Sequence, residues 1–175
     1  MNKKINSLLF VTLLSASHLT YANQGQITLM GSVTTQTCEL FVAGADASGN
    51  VVELGVVPVN GVGSEVSFEL KPDPTSPCAS LTGANMLGAD VTWGGSALSG
   101  EGIRNENGSA VGSVVELTAK PAAGSTVINS LNPTVAFAAS EATGAAASMA
   151  FSAKLKAGAT AGTYASTISY TVAYK

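Results

Sequence analysis

The sequence predicts an all-β sandwich, and three observations carry that prediction. Short alternating segments rich in β-branched and aromatic residues recur along the chain, and turn chemistry separates them. Strong helix formers such as Leu, Lys, Arg and Gln are sparse beside Ala, Gly, Ser, Thr and Val. Only 11% of the residues are charged, while 19 of 175 are glycine, a composition suited to short strands joined by tight turns.

The chain opens MNKKINSLLFVTLLSASHLTYANQ, with Lys3 and Lys4 ahead of an apolar run centred on Leu8 to Leu14 and small residues at Thr20 and Ala22. This is the pattern of a secretory signal peptide over residues 1–22, cleaved before Asn23. No other segment approaches the roughly eighteen consecutive apolar residues that a spanning helix needs. The mature protein is therefore expected outside the cytoplasm.

Next comes NQGQITLMGSV, where Gly25, Ile27, Leu29, Gly31 and Val33 fall on one face and polar or flexible residues on the other. Two readings fit this alternation. It is either an ordinary first strand with a bulge at Gly31, or a strand built for the sheet of another chain. The core strands follow near 32–43, 51–57, 64–70, 89–95, 112–119, 134–140, 148–157 and 163–174, with loops such as GADASGN, PVNGVG, PDPTSPC, SGEGIRNENGSA and AGATAG between them. A short helical turn fits near 77–83. The final strand raises its own question: Tyr164, Ile168, Tyr170, Val172 and Tyr174 supply much of its bulk at alternating positions, and one lysine follows. An exposed apolar edge of this kind recruits other chains.

Composition excludes several functions. The single histidine is His18, inside the signal peptide, so the mature chain lacks Ser-His-Asp and Cys-His sites, a histidine general base and nearly every zinc site. Removing Lys3 and Lys4 from the eight basic residues leaves six against eleven acidic ones, a net charge of −5. No basic patch for nucleic acid exists. Cys38 and Cys78 are the only cysteines, and export to an oxidising compartment makes a disulfide between them the expected state. Closing a loop of about 40 residues constrains the unfolded chain by roughly 4 kcal/mol.

Glycosidases need only two carboxylates, so Glu53, Glu65, Glu69, Glu101 and Glu106 were weighed as acids of that kind. Each reads better as a solvated strand or loop acid. Asp46, Ser48 and Asn50 lack the later glutamate of an EF-hand and read as a turn. Asn107-Gly108-Ser109 forms a sequon that a bacterial chain leaves unused, Trp93 reads as core, and Arg104 as a solvated loop residue. No enzyme, cofactor or metal is expected, and no catalytic residue is assigned.

Read in order, the Ile27-x-Leu29-x-Gly31-x-Val33 block upstream of Cys38, VELG at 52–55, SFELKPDPTSPC, VTWGG, NENGSAVGSVVEL, Phe151-x-Ala153, Gly162 and the penultimate Tyr174 resemble a subunit of the chaperone-usher fimbriae of Gram-negative bacteria. The resemblance spans essentially the whole mature chain. It implies an incomplete immunoglobulin-like β-sandwich lacking its last strand, completed by a donor strand from a chaperone or a neighbouring subunit. Residues 23–33 would be the donor extension and 34–175 the pilin domain. Gly25, Ile27, Leu29, Gly31 and Val33 would enter the neighbour's groove, while Gly162, Tyr164, Ile168, Tyr170, Val172 and Tyr174 would form part of the receiving strand. Periodicity alone does not say which face of that strand lines the groove.

The partners so implied are a periplasmic pilus chaperone, an outer-membrane usher, and other copies of the chain and related subunits, with export through the periplasm to a fimbrium on the cell surface. A rival reading makes the chain a minor or tip subunit, or a pilin whose loops bind a host-cell glycan receptor. An intact donor block and no room for an added lectin domain favour the shaft subunit.

Overall fold

The computed structural model describes residues 40–45, 47–48, 50–73, 87–144 and 146–175. All of them belong to the unit Ser32–Lys175. The signal peptide expected over 1–22, the donor block expected over 23–33, Cys38 and Cys78, Asp46 and the helical turn expected near 77–83 lie outside the described residues.

Twelve strands and one helical turn follow one another among the described residues: β1 (Leu40–Ala43), β2 (Ala47–Ser48), β3 (Val51–Val52), β4 (Val62–Pro72), β5 (Gly88–Gly94), β6 (Leu98–Ser99), β7 (Gly102–Arg104), β8 (Val114–Ala119), β9 (Thr126–Ile128), β10 (Thr134–Ala138), α1 (Ala139–Ala142), β11 (Met149–Lys156) and β12 (Ser169–Tyr174). The fold is all-β, as the composition predicts. A large sheet runs in the order β1-β4-β11-β8-β7-β6, with β9 also paired to β8, and faces a small sheet ordered β10-β5-β12. A two-stranded ribbon of β2 and β3 stands apart.

Alternation decides which side chains enter the core. In β4, Val66, Phe68 and Leu70 are buried, and in β11 so are Met149, Phe151, Ala153 and Leu155. Their partners from the small sheet are Ala89, Val91 and Trp93 of β5 and Val135 and Phe137 of β10. Phe151 sits at the meeting point. It stacks on Phe68 across the ladder at 5.6 Å, meets Trp93 edge-on at 5.2 Å and tilts against Phe137 at 5.3 Å.

The opposite face of the large sheet is wet and charged. Lys154 stands opposite both Glu65 and Glu116, and Lys120–Glu65, Lys71–Glu69 and Lys156–Glu116 pair around it. Such exposed pairs each contribute little. Their effect is to keep a broad sheet face soluble. Glu65 and Glu69, weighed above as catalytic carboxylates, are thus engaged by lysines.

The structure departs from the expected strands where neighbours overrule local pattern. VVELGVV yields only Val51–Val52, because Gly55 turns the chain at φ +70° and Pro58 follows. The loop expected at SGEGIRNENGSA contains β7, a three-residue strand held between β6 and β8. β9 is equally short and forms only by pairing with β8. At TVAFAAS the strand stops at Ala138 and one helical turn follows. The Glu141 carboxylate accepts the N–H groups of Ala138 at 3.1 Å and Ala122 at 2.9 Å, tying that turn to the neighbouring loop.

Candidate functional site

The C-terminal strand occupies the edge of the small sheet. β12 pairs with β5 along one side, Tyr170 opposite Trp93, Val172 opposite Val91 and Tyr174 opposite Ala89. On its other side no strand is present among the described residues. The difference in burial across this pair is the central observation. Ala89 and Val91 are fully buried and Trp93 is 6% exposed, whereas Tyr170, Val172 and Tyr174, one strand further out on the same face, are only half-buried. The sheet's inner face runs out before its apolar residues do.

The tyrosine face is therefore the one turned to the core. Tyr170 lies 5.4 Å from the Trp93 ring, and Tyr164, Ile168, Val172 and Tyr174 all pack against the same cluster. Thr171 and Ser169, between them, are exposed. Two polar atoms at this seam are buried without a partner among the described residues, the Trp93 Nε1 and the Tyr174 hydroxyl. Burial raises the phenol pKa of Tyr170, and of Tyr174, where the neighbouring Tyr170 adds to the rise. Lys175 pins the strand's end. Its N–H donates to Gly88 O at 2.9 Å, its carbonyl accepts Leu87 N–H at 2.7 Å, and its ammonium lies 2.6 Å from Asp90.

The strand expected over 163–174 pairs with β5 only over Ser169–Tyr174. Ahead of it, Gly162 sits in a bend, and the chain over Thr163–Ala165 finds a different neighbour, the loop 105–110. Asn105 joins the two: its Nδ2 donates to Ala110 O at 2.9 Å and Thr163 O at 3.1 Å, and its Oδ1 accepts from Gly108 N and Ala165 N, each at 3.0 Å. Glu106 N and Asn107 N donate to Ala165 O, and Ala110 N donates to Thr163 O. The contact is too close for side chains. A Cβ on Gly108 would lie 2.0 Å from Thr163 O, and one on Gly162 would lie 2.4 Å from Ser109 Oγ. The NENG stretch reads in the sequence only as an approach to the next core strand, with no role for Asn105. The available signal was an Asn with a Gly three residues on, the pattern of a side chain closing a turn on the backbone.

The inner side chains of this segment reach the large sheet. The Tyr164 hydroxyl donates to Ile103 O at 2.9 Å, and the Ser166 hydroxyl to Arg104 O at 2.8 Å. Burial pushes the Tyr164 phenol up to about 12, with the charge of Glu106 adding to the rise and the Ser166 hydroxyl opposing it. An unfolded tyrosine ionises near 10, so between about 10 and 12 the unfolded chain sheds this proton first. The stability attached to the neutral phenol is present below about 10 and is lost as pH rises through about 12. A phenolate absorbance titration is expected to show a late step that Tyr164→Phe removes. Identical titration curves for parent and variant would contradict the assignment.

Of the candidate carboxylates, Glu65 and Glu69 pair with lysines. Ser96 Oγ donates to Glu106 at 3.2 Å, and Arg104 spends its guanidinium on Ser96 O at 2.8 Å. Among the described residues no three His, Cys, Asp or Glu side chains gather as a metal would require.

The chain is 34% identical over 177 aligned residues to the F107 fimbrial protein of Escherichia coli, covering 99% of each chain. A chain from the structure of a chaperone-usher pilus, described for the uncoiling of its rod, aligns over 91% of this chain and 100% of its own, with 16% identity and a TM-score of 0.48. No family model matches the chain.

Proposed function

Because the chain belongs to the fimbrial protein family, we propose that it is a structural subunit of an adhesive fimbria that polymerises head to tail by donor-strand exchange. The observation that carries this reading is the half-buried apolar face of β12 at an edge beside which no strand lies among the described residues. A strand laid along that edge would supply main-chain bonds and cover Tyr170, Val172 and Tyr174 at once, the physics of β-strand addition. The donor is residues 23–33, with Gly25, Ile27, Leu29, Gly31 and Val33 turned into the neighbour. Such a contact is heterologous and does not close, so copies add without limit into a filament.

The empty edge also explains the other partners. Each Val, Leu, Ile or Phe side chain left uncovered forgoes about 1.5–3 kcal/mol, and a bare apolar edge of high β-propensity aggregates. A periplasmic chaperone fills it after export, and an outer-membrane usher exchanges that strand for the next subunit's extension. A disulfide between Cys38 and Cys78 braces the subunit during this transfer.

Electron microscopy of cells expressing the chain with its chaperone and usher tests the proposal. Fibres that resist detergent until heated are expected from the full chain. Removal of residues 23–33 is expected to leave a chaperone-bound subunit that cannot join the one ahead of it, and Gly31→Leu is expected to block assembly by a clash in the groove. Fibres of normal length from the deletion, or a stable purified monomer with hydrolytic activity, would refute the reading.

A further inference from the structure

The unpaired edge is longer than β12. In an extended chain, successive residues turn their N–H and C=O groups to opposite sides. Lys175 N–H bonds toward β5 at Gly88, and Trp93 N–H turns the other way, to Pro133 O, so it is the odd-numbered residues of the C-terminal strand that face β5. The same parity persists upstream. Thr163 and Ala165 bond through their main chains to Asn105 and the loop 105–110, which takes over the place of β5 where β5 ends at Gly94. Side-chain burial alternates without a break from Thr163 to Val172, which keeps the segment extended between the two neighbours.

The even-numbered main-chain groups therefore face outward together. Those of Tyr164, Ser166 and Ile168 have no hydrogen-bond partner among the described residues, and they continue the open side of Tyr170, Val172 and Tyr174. β12 has six residues, whereas the edge from 164 to 174 has eleven. At about 3.3 Å per residue it is roughly 36 Å long. The segment 23–33 is also eleven residues long.

Resting on the donor-strand reading above, in which the C-terminal strand receives the donor, we infer that Asn105 is the positioning residue that holds the first half of that edge, residues 164–168, in line with β12. The side chain does this by bonding the loop and the strand at the same time. All four of its amide hydrogen-bonding positions are used, two within the loop, at Gly108 and Ala110, and two on the strand, at Thr163 and Ala165. Without it, Thr163 and Ala165 keep the main-chain bonds from Ala110, Glu106 and Asn107 but lose the side chain that fixes that loop against the strand, so the first half of the edge is held less firmly than β12.

The test is exchange of the chaperone-bound mature chain with synthetic peptides of residues 23–33, 23–28 and 28–33. In the parent, the full peptide is expected to exchange at least about tenfold faster than either half, since main-chain bonds to Tyr164, Ser166 and Ile168 each add a modest increment. Asn105→Ala is expected to erase that advantage while leaving exchange of the better half unchanged, a split that general destabilisation would not produce. Thr163→Ala, which removes the γ-methyl and the hydroxyl that meets Ser109 N and Ser109 Oγ but leaves the Asn105 bonds in place, is a milder change and is expected to fall between. Retention of the full advantage by Asn105→Ala would overturn the inference, and so would equal loss for long and short peptides. Failure of every peptide on the parent would instead overturn the donor assignment beneath it.

Discussion

Phe151→Ala is expected to destabilise the subunit by about 3–5 kcal/mol, the range for a fully buried aromatic truncated to alanine. The ring is 0% exposed and touches Phe68 on its own sheet and Trp93 and Phe137 on the other. Its loss removes contacts from both layers, and the rigid ladders of β4 and β8 on either side keep the cavity from collapsing. Against a total stability of about 5–15 kcal/mol for a domain, that is a large fraction. Trp93, the only tryptophan, lies 5.2 Å away and reports the change directly. Urea unfolding of the mature chain followed by tryptophan fluorescence should show the midpoint falling sharply. A midpoint equal to the parent's would mean that the two sheets do not meet on this ring.

Val172→Asp is expected to abolish fibre assembly. Val172 lies between Tyr170 and Tyr174 on the half-buried face, opposite the fully buried Val91. An incoming strand would seal a carboxylate there without a counter-charge, at a cost of several kcal/mol, and Asp is too short to reach water past the seam. Thr171→Asp provides the control. It places the same charge with the same poor β-propensity on the same strand, but on the exposed outer face. Fibre yield, measured by sedimentation and microscopy, should collapse for the first variant and stay near the parent's for the second. Equal yields for both would remove the tyrosine face from the assembly mechanism.

Much of the fold was legible because its long strands carry their own period. β4, β5, β8, β10 and β11 fall within a few residues of their expected places, since a strand packed on one face must alternate. The short elements were not legible. β7 and β9 have three residues each, too few to display a period, and exist because the edge of β8 away from β11 takes β7 at its start and β9 at its end. Asn105 escaped notice for a related reason. Its partners Thr163 and Ala165 lie nearly sixty residues away, and nothing local marks such a contact.

The sequence by itself determined the class of fold and the apolar bulk of the last strand. These follow from composition and from spacing along one segment. Tertiary structure alone decided that the tyrosines, not Ser169 and Thr171, face the core, and that no strand among the described residues lies along the edge beside them. A strand's two faces are equivalent until a second layer covers one of them, and an edge is open or closed only by what lies next to it. Here Trp93, Val91 and Phe151 choose the face, and the loop 105–110 carries the edge beyond the end of β5.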